Sequence, residues 1–150
     1  MAPKKNLFIP ILIFIVVAFV GFADAVYLTV THFMGELPIC TILAGCDEVA
    51  LSEYSTIGSI PIALLGTLFY ATMLVSGVAW LDIRKPKVLK KLPYLTIPAF
   101  LFSIWLVYLM FFEIEALCIY CLVSAGTTTL IMVISIWLVH LIKQTSRKRK

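Results

Sequence analysis

Four long apolar runs, Leu7–Thr31, Ile60–Leu81, Pro93–Phe112 and Cys118–Ile142, alternate with short polar segments along the chain. About 20 helical residues, each rising about 1.5 Å, cross the roughly 30 Å of a bilayer's hydrocarbon core. None of the runs shows the in–out alternation of a membrane β-strand. Backbone in lipid must satisfy its own N–H and C=O groups, so each run predicts a transmembrane helix. Pro10, Pro61 and Pro93 fall in predicted first turns, where a missing N–H costs little, whereas Pro98 lies deeper and is placed to kink the third helix. The expected fold is all-α: an integral membrane four-helix bundle, one domain over residues 1–150, with a loop of about 28 residues joining helices 1 and 2.

Composition turns the bilayer from an option into a requirement. Of 150 residues, 62% are hydrophobic and 13% charged, about half the charged share of soluble domains. A water-soluble domain of this size could not bury that much apolar surface, and the mean hydropathy is +1.06.

Charge then orients the spans. Lys4 and Lys5 precede helix 1; Arg84, Lys85, Lys87, Lys90 and Lys91 join helices 2 and 3; Lys143, Arg147, Lys148, Arg149 and Lys150 form a basic tail over residues 143–150. These are all 12 Lys and Arg residues, and four spans place the three groups on one face. The positive-inside rule makes that face cytoplasmic, so a multi-pass protein of the inner membrane with both termini in the cytoplasm is expected. The net charge of +4 does not predict nucleic-acid binding, because the basic residues are not interleaved with aromatics on a folded face. The start of the chain, with Ala23-Asp24-Ala25 after an apolar stretch, has the outline of a cleavable signal peptide. The apolar run continues through Val26, Tyr27, Leu28 and Val30, however, and makes a full span. Asp24 is then an acid within the membrane, either a polar group at an interior cavity or a partly hydrated residue packed on loop backbone.

The opposite face receives Glu36, Asp47, Glu48, Glu53, Glu113 and Glu115, together with all four cysteines. Cys40 and Cys46 lie in the first loop, and Cys118 and Cys121 open helix 4, so every thiol is expected on the extracytoplasmic, oxidising side. A C-x-x-C at a helix N-terminus has a chemical logic: unpaired N–H groups and the positive end of the dipole favour a thiolate. Glu113 and Glu115 oppose it, which predicts a moderate pKa depression. As a staple the C-x-x-C is poor, since so small a ring removes little chain entropy. By themselves, Cys40 and Cys46 read first as a structural loop disulfide and only second as a redox pair. A Cys₄ zinc site needs a second close knuckle, and the C-TILAG-C spacing does not supply one, so no metal is expected. His32 and His140, near opposite ends of their helices, read as interfacial polar residues.

The residues Gly21-Phe22-Ala23-Asp24 with Tyr27-Leu28-Thr29, the Cys40/Cys46 pair, Gly45-Cys46-Asp47-Glu48-Val49, Ser52-x-Tyr54, Ile60-Pro61 with Gly66, and Cys118-x-x-Cys121 occur in that order. From about Gly21 to Ala125 the chain resembles the prokaryotic branch of the vitamin K epoxide reductase family. The resemblance implies a four-helix bundle around a quinone pocket, and an enzyme: a thiol–disulfide oxidoreductase that oxidises a thioredoxin-fold partner and reduces a quinone. It implies that Cys40 exchanges with the partner, Cys46 passes electrons to Cys118, and Cys121 faces the quinone. Ser52 matches a polar loop residue near the dithiol, with helix capping as its alternative role. Cys121, Ser52 and Asp24 are thus the candidate quinone contacts.

Departures from the family pattern refine these expectations. Many bacterial relatives carry a fused thioredoxin-like domain after helix 4; here the sequence ends in the basic tail, so a separate DsbA-like partner is expected. Ser59 stands where a glycine often precedes Ile-Pro. Ala125 stands where vertebrate members have a tyrosine one turn after the C-x-x-C, which points to ubiquinone or menaquinone instead of vitamin K epoxide. DsbB-type oxidases share the chemistry but place C-x-x-C between helices 1 and 2. The rival outside enzymology is a four-span scaffold stiffened by loop disulfides. On the relay reading, a mobile loop pair serves a C-x-x-C pair fixed on a helix end.

Overall fold

In the computed structural model, residues 5–40, 45–83 and 86–147 are described. Four long helices dominate: α1 (Lys5–Met34), α3 (Ile62–Ile83), α4 (Pro86–Phe112) and α5 (Ile119–Arg147). The loop after α1 carries a short helix α2 (Cys46–Leu51), a 3₁₀ turn at Glu53–Ser55, and strands β1 (Thr56–Ile57) and β2 (Ile60–Pro61). The fold is an all-α membrane four-helix bundle with one small antiparallel ladder, Thr56 opposite Pro61 and Ile57 opposite Ile60. Gly58 takes a φ of +65°, the left-handed conformation that lets this two-residue turn close, and Ser59 follows it.

Spans of 28, 20, 23 and 26 residues lie within the four helices. Outward-facing Phe8, Phe19, Val75, Leu101 and Val133 are each more than half exposed, as lipid-facing side chains must be. The helices outrun the apolar segments because intrahelical hydrogen bonding does not stop where lipid stops. Thus α4 begins at Pro86 and not near Pro93; Pro93 and Pro98 both lie inside it. Pro86 occupies the first position, where its missing N–H is harmless. The second span is later than expected, starting at Ile62, since Ile60-Pro61 is held in the ladder. Lys4, Arg84, Lys85 and 148–150 lie outside the described residues.

Packing centres on α1, which lies against both α3 and α5. Ala18, Gly21 and Ala25 recur on one face of α1 and are buried, so neighbouring helices can approach closely. Gly66 meets Ala25, and Gly77 meets Ile15. Phe14, Tyr70, Met73, Ile131 and Leu138 fill the core between α1, α3 and α5. Thr29 Oγ1 and Thr67 Oγ1, 3.1 Å apart, add a polar contact between α1 and α3. The connections bring the end of α1, the start of α3, the end of α4 and the start of α5 to one end of the bundle. Lys90, Lys91 and Lys143 meet in a groove at the other.

Candidate functional site

At the loop-bearing end the four sulfurs lie around a small apolar cluster. Cys46 and Cys118 are buried with Met110, and Cys40, Val49, Tyr120 and Cys121 pack against them. Cys40 is bonded to Cys46, their Cα atoms 6.1 Å apart, while Cys118 and Cys121 are free.

Gly45 is the structural reason that the loop pair can reach the helix pair. A Cβ at Gly45 would stand 2.8 Å from the backbone N of Leu117 and 3.0 Å from its O. Only a residue without Cβ lets the loop backbone lie flat against the segment leading into α5. That segment is itself unusual: Glu115 has a φ of 52°, left-handed backbone in a non-glycine residue. Two tyrosines complete the docking. Ile39 donates its N–H to Tyr27 Oη (3.2 Å), and Tyr120 Oη donates to the Ile39 carbonyl (3.0 Å). The Tyr27 and Tyr120 rings are 5.0 Å apart, so α1 and α5 together grip the residue beside Cys40. Cys46 is 1% exposed and opens α2, so in this arrangement the loop pair is seated against the α5 entry.

Cys118 precedes α5 and does not sit inside it. Its carbonyl accepts from Leu122 (3.1 Å), and its Sγ accepts the N–H of Cys121 at 3.5 Å, the position of an N-cap side chain. A hydrogen bond from the Cys121 side chain has the largest effect on its acidity, and the amides of Cys121 and Tyr120 add to it. Burial and the Asp24 carboxylate push the other way, and the outcome is a thiol lowered from 9.0 to about 7. Glu113 and Glu115, both exposed, take no part; the opposing acid is Asp24. A lowered folded-state pKa favours the folded dithiol form above the ordinary value of 9.0, and this advantage disappears as pH falls through about 7. The expected titration of thiolate ultraviolet absorbance therefore has a midpoint near 7 that Cys118→Ser removes. A wild-type midpoint still at 9.0 contradicts the hydrogen-bonded thiolate.

Beneath the sulfurs is a cavity of about 560 Å³, within the range that holds a cofactor-sized ligand. Leu28, Phe69, Leu106 and Val107 make its walls apolar; Cys46, Cys118 and Cys121 border it. Ser52 also lines it, but its hydroxyl donates to the Val49 carbonyl (2.8 Å) and makes no capping bond to the 3₁₀ turn. Asp24 is not among the lining residues, although its neighbour Ala25 is. Its Oδ2 is buried and has no hydrogen-bond partner among the described residues.

The sequence model of the Vitamin K epoxide reductase family matches residues 12–136, most of the chain and all four cysteines. The chain belongs to the vitamin K epoxide reductase family. A comparison with curated proteins finds no match. Family membership makes the chain a membrane oxidoreductase of thiol–disulfide chemistry with quinone-type substrates. Tyr120 and Tyr70 escaped the sequence reading, and Gly45 entered it only as part of a motif. A tyrosine within C-x-x-C carries no local signal of a contact made 81 residues away.

Proposed function

We propose that this protein oxidises the dithiol of a thioredoxin-fold partner outside the cytoplasm and passes the electrons to ubiquinone or menaquinone, so supporting disulfide formation there. The single observation that carries this reading is the gathering of two cysteine pairs in one cluster at the edge of an apolar cavity.

Exposure supports a definite order. Within the bonded loop pair Cys40 is half-buried and Cys46 is 1% exposed, so Cys40 is the sulfur of that disulfide open to a folded partner, while Cys121 faces the cavity. The partner thiolate attacks Cys40 Sγ, Cys46 leaves as thiolate, and the partner's second thiol resolves the mixed disulfide. Cys46 then attacks Cys118 in a Cys118–Cys121 disulfide, and Cys121 leaves. Cys40 closes on Cys46, leaving Cys118 and Cys121 as a dithiol. Two electrons and two protons pass from that dithiol to quinone, which becomes quinol as the C-x-x-C bridge reforms. A bridged loop pair beside free Cys118 and Cys121 is the state that precedes quinone reduction. Cys121, less buried than Cys118 and on the cavity wall, is the sulfur that meets the quinone. Ser52 holds the α2 end beside the cavity, and Asp24 stands near the dithiol but off the cavity wall.

Grouping of Lys90, Lys91 and Lys143 at the end remote from the sulfurs supports an inner-membrane orientation with both termini cytoplasmic and the cysteines outside. The test supplies purified protein in lipid with a reduced thioredoxin-fold dithiol and either quinone. Stoichiometric quinol and partner disulfide are expected, and folded protein that yields neither refutes the reading.

A further inference from the structure

The cavity is apolar on its walls but not along its α5 side, where Tyr70 gathers three hydroxyl residues. Tyr70 is completely buried, and a Cβ at Gly21 would overlap its ring, so the ring's place is created by that glycine. Its Oη lies 2.8 Å from the Ser124 carbonyl, 2.7 Å from Thr127 Oγ1, 2.8 Å from Thr128 Oγ1 and 3.3 Å from Ser124 Oγ. A phenol has one proton to give and can accept from about two donors. The Ser124 carbonyl can only accept. Thr127 already donates to the carbonyls of Val123 (2.9 Å) and Ser124 (3.0 Å). Among the described residues Thr128 has no other acceptor, so Tyr70 gives its proton to the Ser124 carbonyl and accepts from Thr128, while Thr127 Oγ1 crowds its remaining side at 2.7 Å.

Ser124 is the member left over. Thr29, Thr67 and Ser135 donate to the carbonyl four residues back, the usual refuge of a hydroxyl on a membrane helix. Ser124 does not, and its one contact is the long 3.3 Å approach to Tyr70. It lines the cavity together with Tyr70, Thr128 and Cys121. A hydroxyl facing apolar space without a good acceptor is costly until a ligand brings one. Ser124 also stands three residues after Cys121 on α5, a rise of about 4.5 Å. Both residues border the same cavity, one helical turn apart.

We propose that Ser124, positioned by Tyr70, donates a hydrogen bond to the quinone carbonyl remote from Cys121. The proposal rests on the quinone reading above and assigns the ligand's orientation within it. During reduction the dithiol loses two electrons, one S–S bond forms, and the two thiol protons end on the two quinone oxygens. As the electron pair arrives, negative charge builds on the remote oxygen. The Ser124 O–H stabilises it without giving up its own proton, in the manner of an oxyanion site. Nothing further is consumed, so the exchange balances with dithiol and quinone alone. The site therefore selects para-quinones, whose second carbonyl reaches Ser124, over analogues lacking that oxygen.

Steady-state reduction of short-chain ubiquinone and menaquinone, with dithiothreitol as donor, tests this. Ser124→Ala is expected to lower kcat/KM for quinone about tenfold, raising KM by loss of the ground-state hydrogen bond and lowering kcat because that bond strengthens as charge builds. Ser124→Thr restores it, and Tyr70→Phe gives a smaller loss. Thr129→Ala, on the exposed face of the same helix, matches wild type. Equal KM in Ser124→Ala and wild type overturns the assignment, as does an impaired Ala variant that Thr does not rescue. If wild type forms no quinol from either quinone, the reading of function fails instead. Equilibrium binding of the short-chain quinones then judges Ser124 separately, and equal affinity in wild type and Ser124→Ala rejects it.

Discussion

Cys121→Ala leaves a folded membrane protein that makes no quinol, with partner-driven turnover reduced at least ~10³-fold, the scale on which loss of a reacting nucleophile acts. The sulfur borders the cavity and is only half-buried, so its removal costs the fold little, about 1 kcal/mol at most. Turnover and stability should therefore separate. Quinol formation read by its absorbance, beside a thermal unfolding curve in detergent, checks both. A scaffold whose cysteines only stiffen a surface predicts no change in partner binding and no quinol from wild type either. Retained quinol formation in Cys121→Ala removes Cys121 from the quinone step.

Cys46→Ser divides the electron path. Cys46 is the buried sulfur that shares a cluster with Cys118, and it cannot be bypassed by a folded partner. Partner-driven quinol formation should fall at least ~10³-fold, while a small dithiol that can enter the cavity still reduces the Cys118–Cys121 disulfide and sustains quinol formation. Trapping should give the reciprocal result: Cys40→Ser, which lacks the thiol that resolves it, accumulates a Cys46–Cys118 mixed disulfide, detectable by peptide mapping. Equal loss with partner and with small dithiol would mean that Cys46 supports the site structurally and is not a link in a chain. The contact of Gly45 with Leu117 explains why the two pairs meet where they do, since loop backbone carrying a Cβ there could not close on the α5 entry.

Much of this architecture is legible without coordinates because lipid imposes a simple rule. A membrane-spanning backbone must be helical, so run length alone marks the spans, and the exclusive grouping of Lys and Arg sets which ends share a side. Helix ends are less legible. Hydropathy reports the hydrocarbon boundary, while α4 runs through the charged turn from Pro86 and places Pro93 in its interior. The ladder that delays α3 is equally hidden, because two paired residues on each side leave no periodicity to read.

At the site, residue type and spacing identified the four cysteines and the helix end that acidifies Cys118. They did not show that the Cys121 thiol is the strongest influence on that sulfur, or that Asp24 is the acid opposing it. Nor could they show that Tyr27 and Tyr120 hold Ile39, because those bonds join α1 and α5 to the loop between them.

The order of residues along this chain determined four spans and predicts one basic face with the thiols on the other, because hydrophobic length and charge asymmetry are properties of segments. Tertiary packing alone decided that Cys46 touches the Cys118 cluster, that Ser124 and Tyr70 line the cavity together, and that Asp24 stays off its wall. Those outcomes depend on which faces of neighbouring helices meet. Small residues at Gly21, Gly45 and Gly66 set those meetings through contacts that no local pattern encodes.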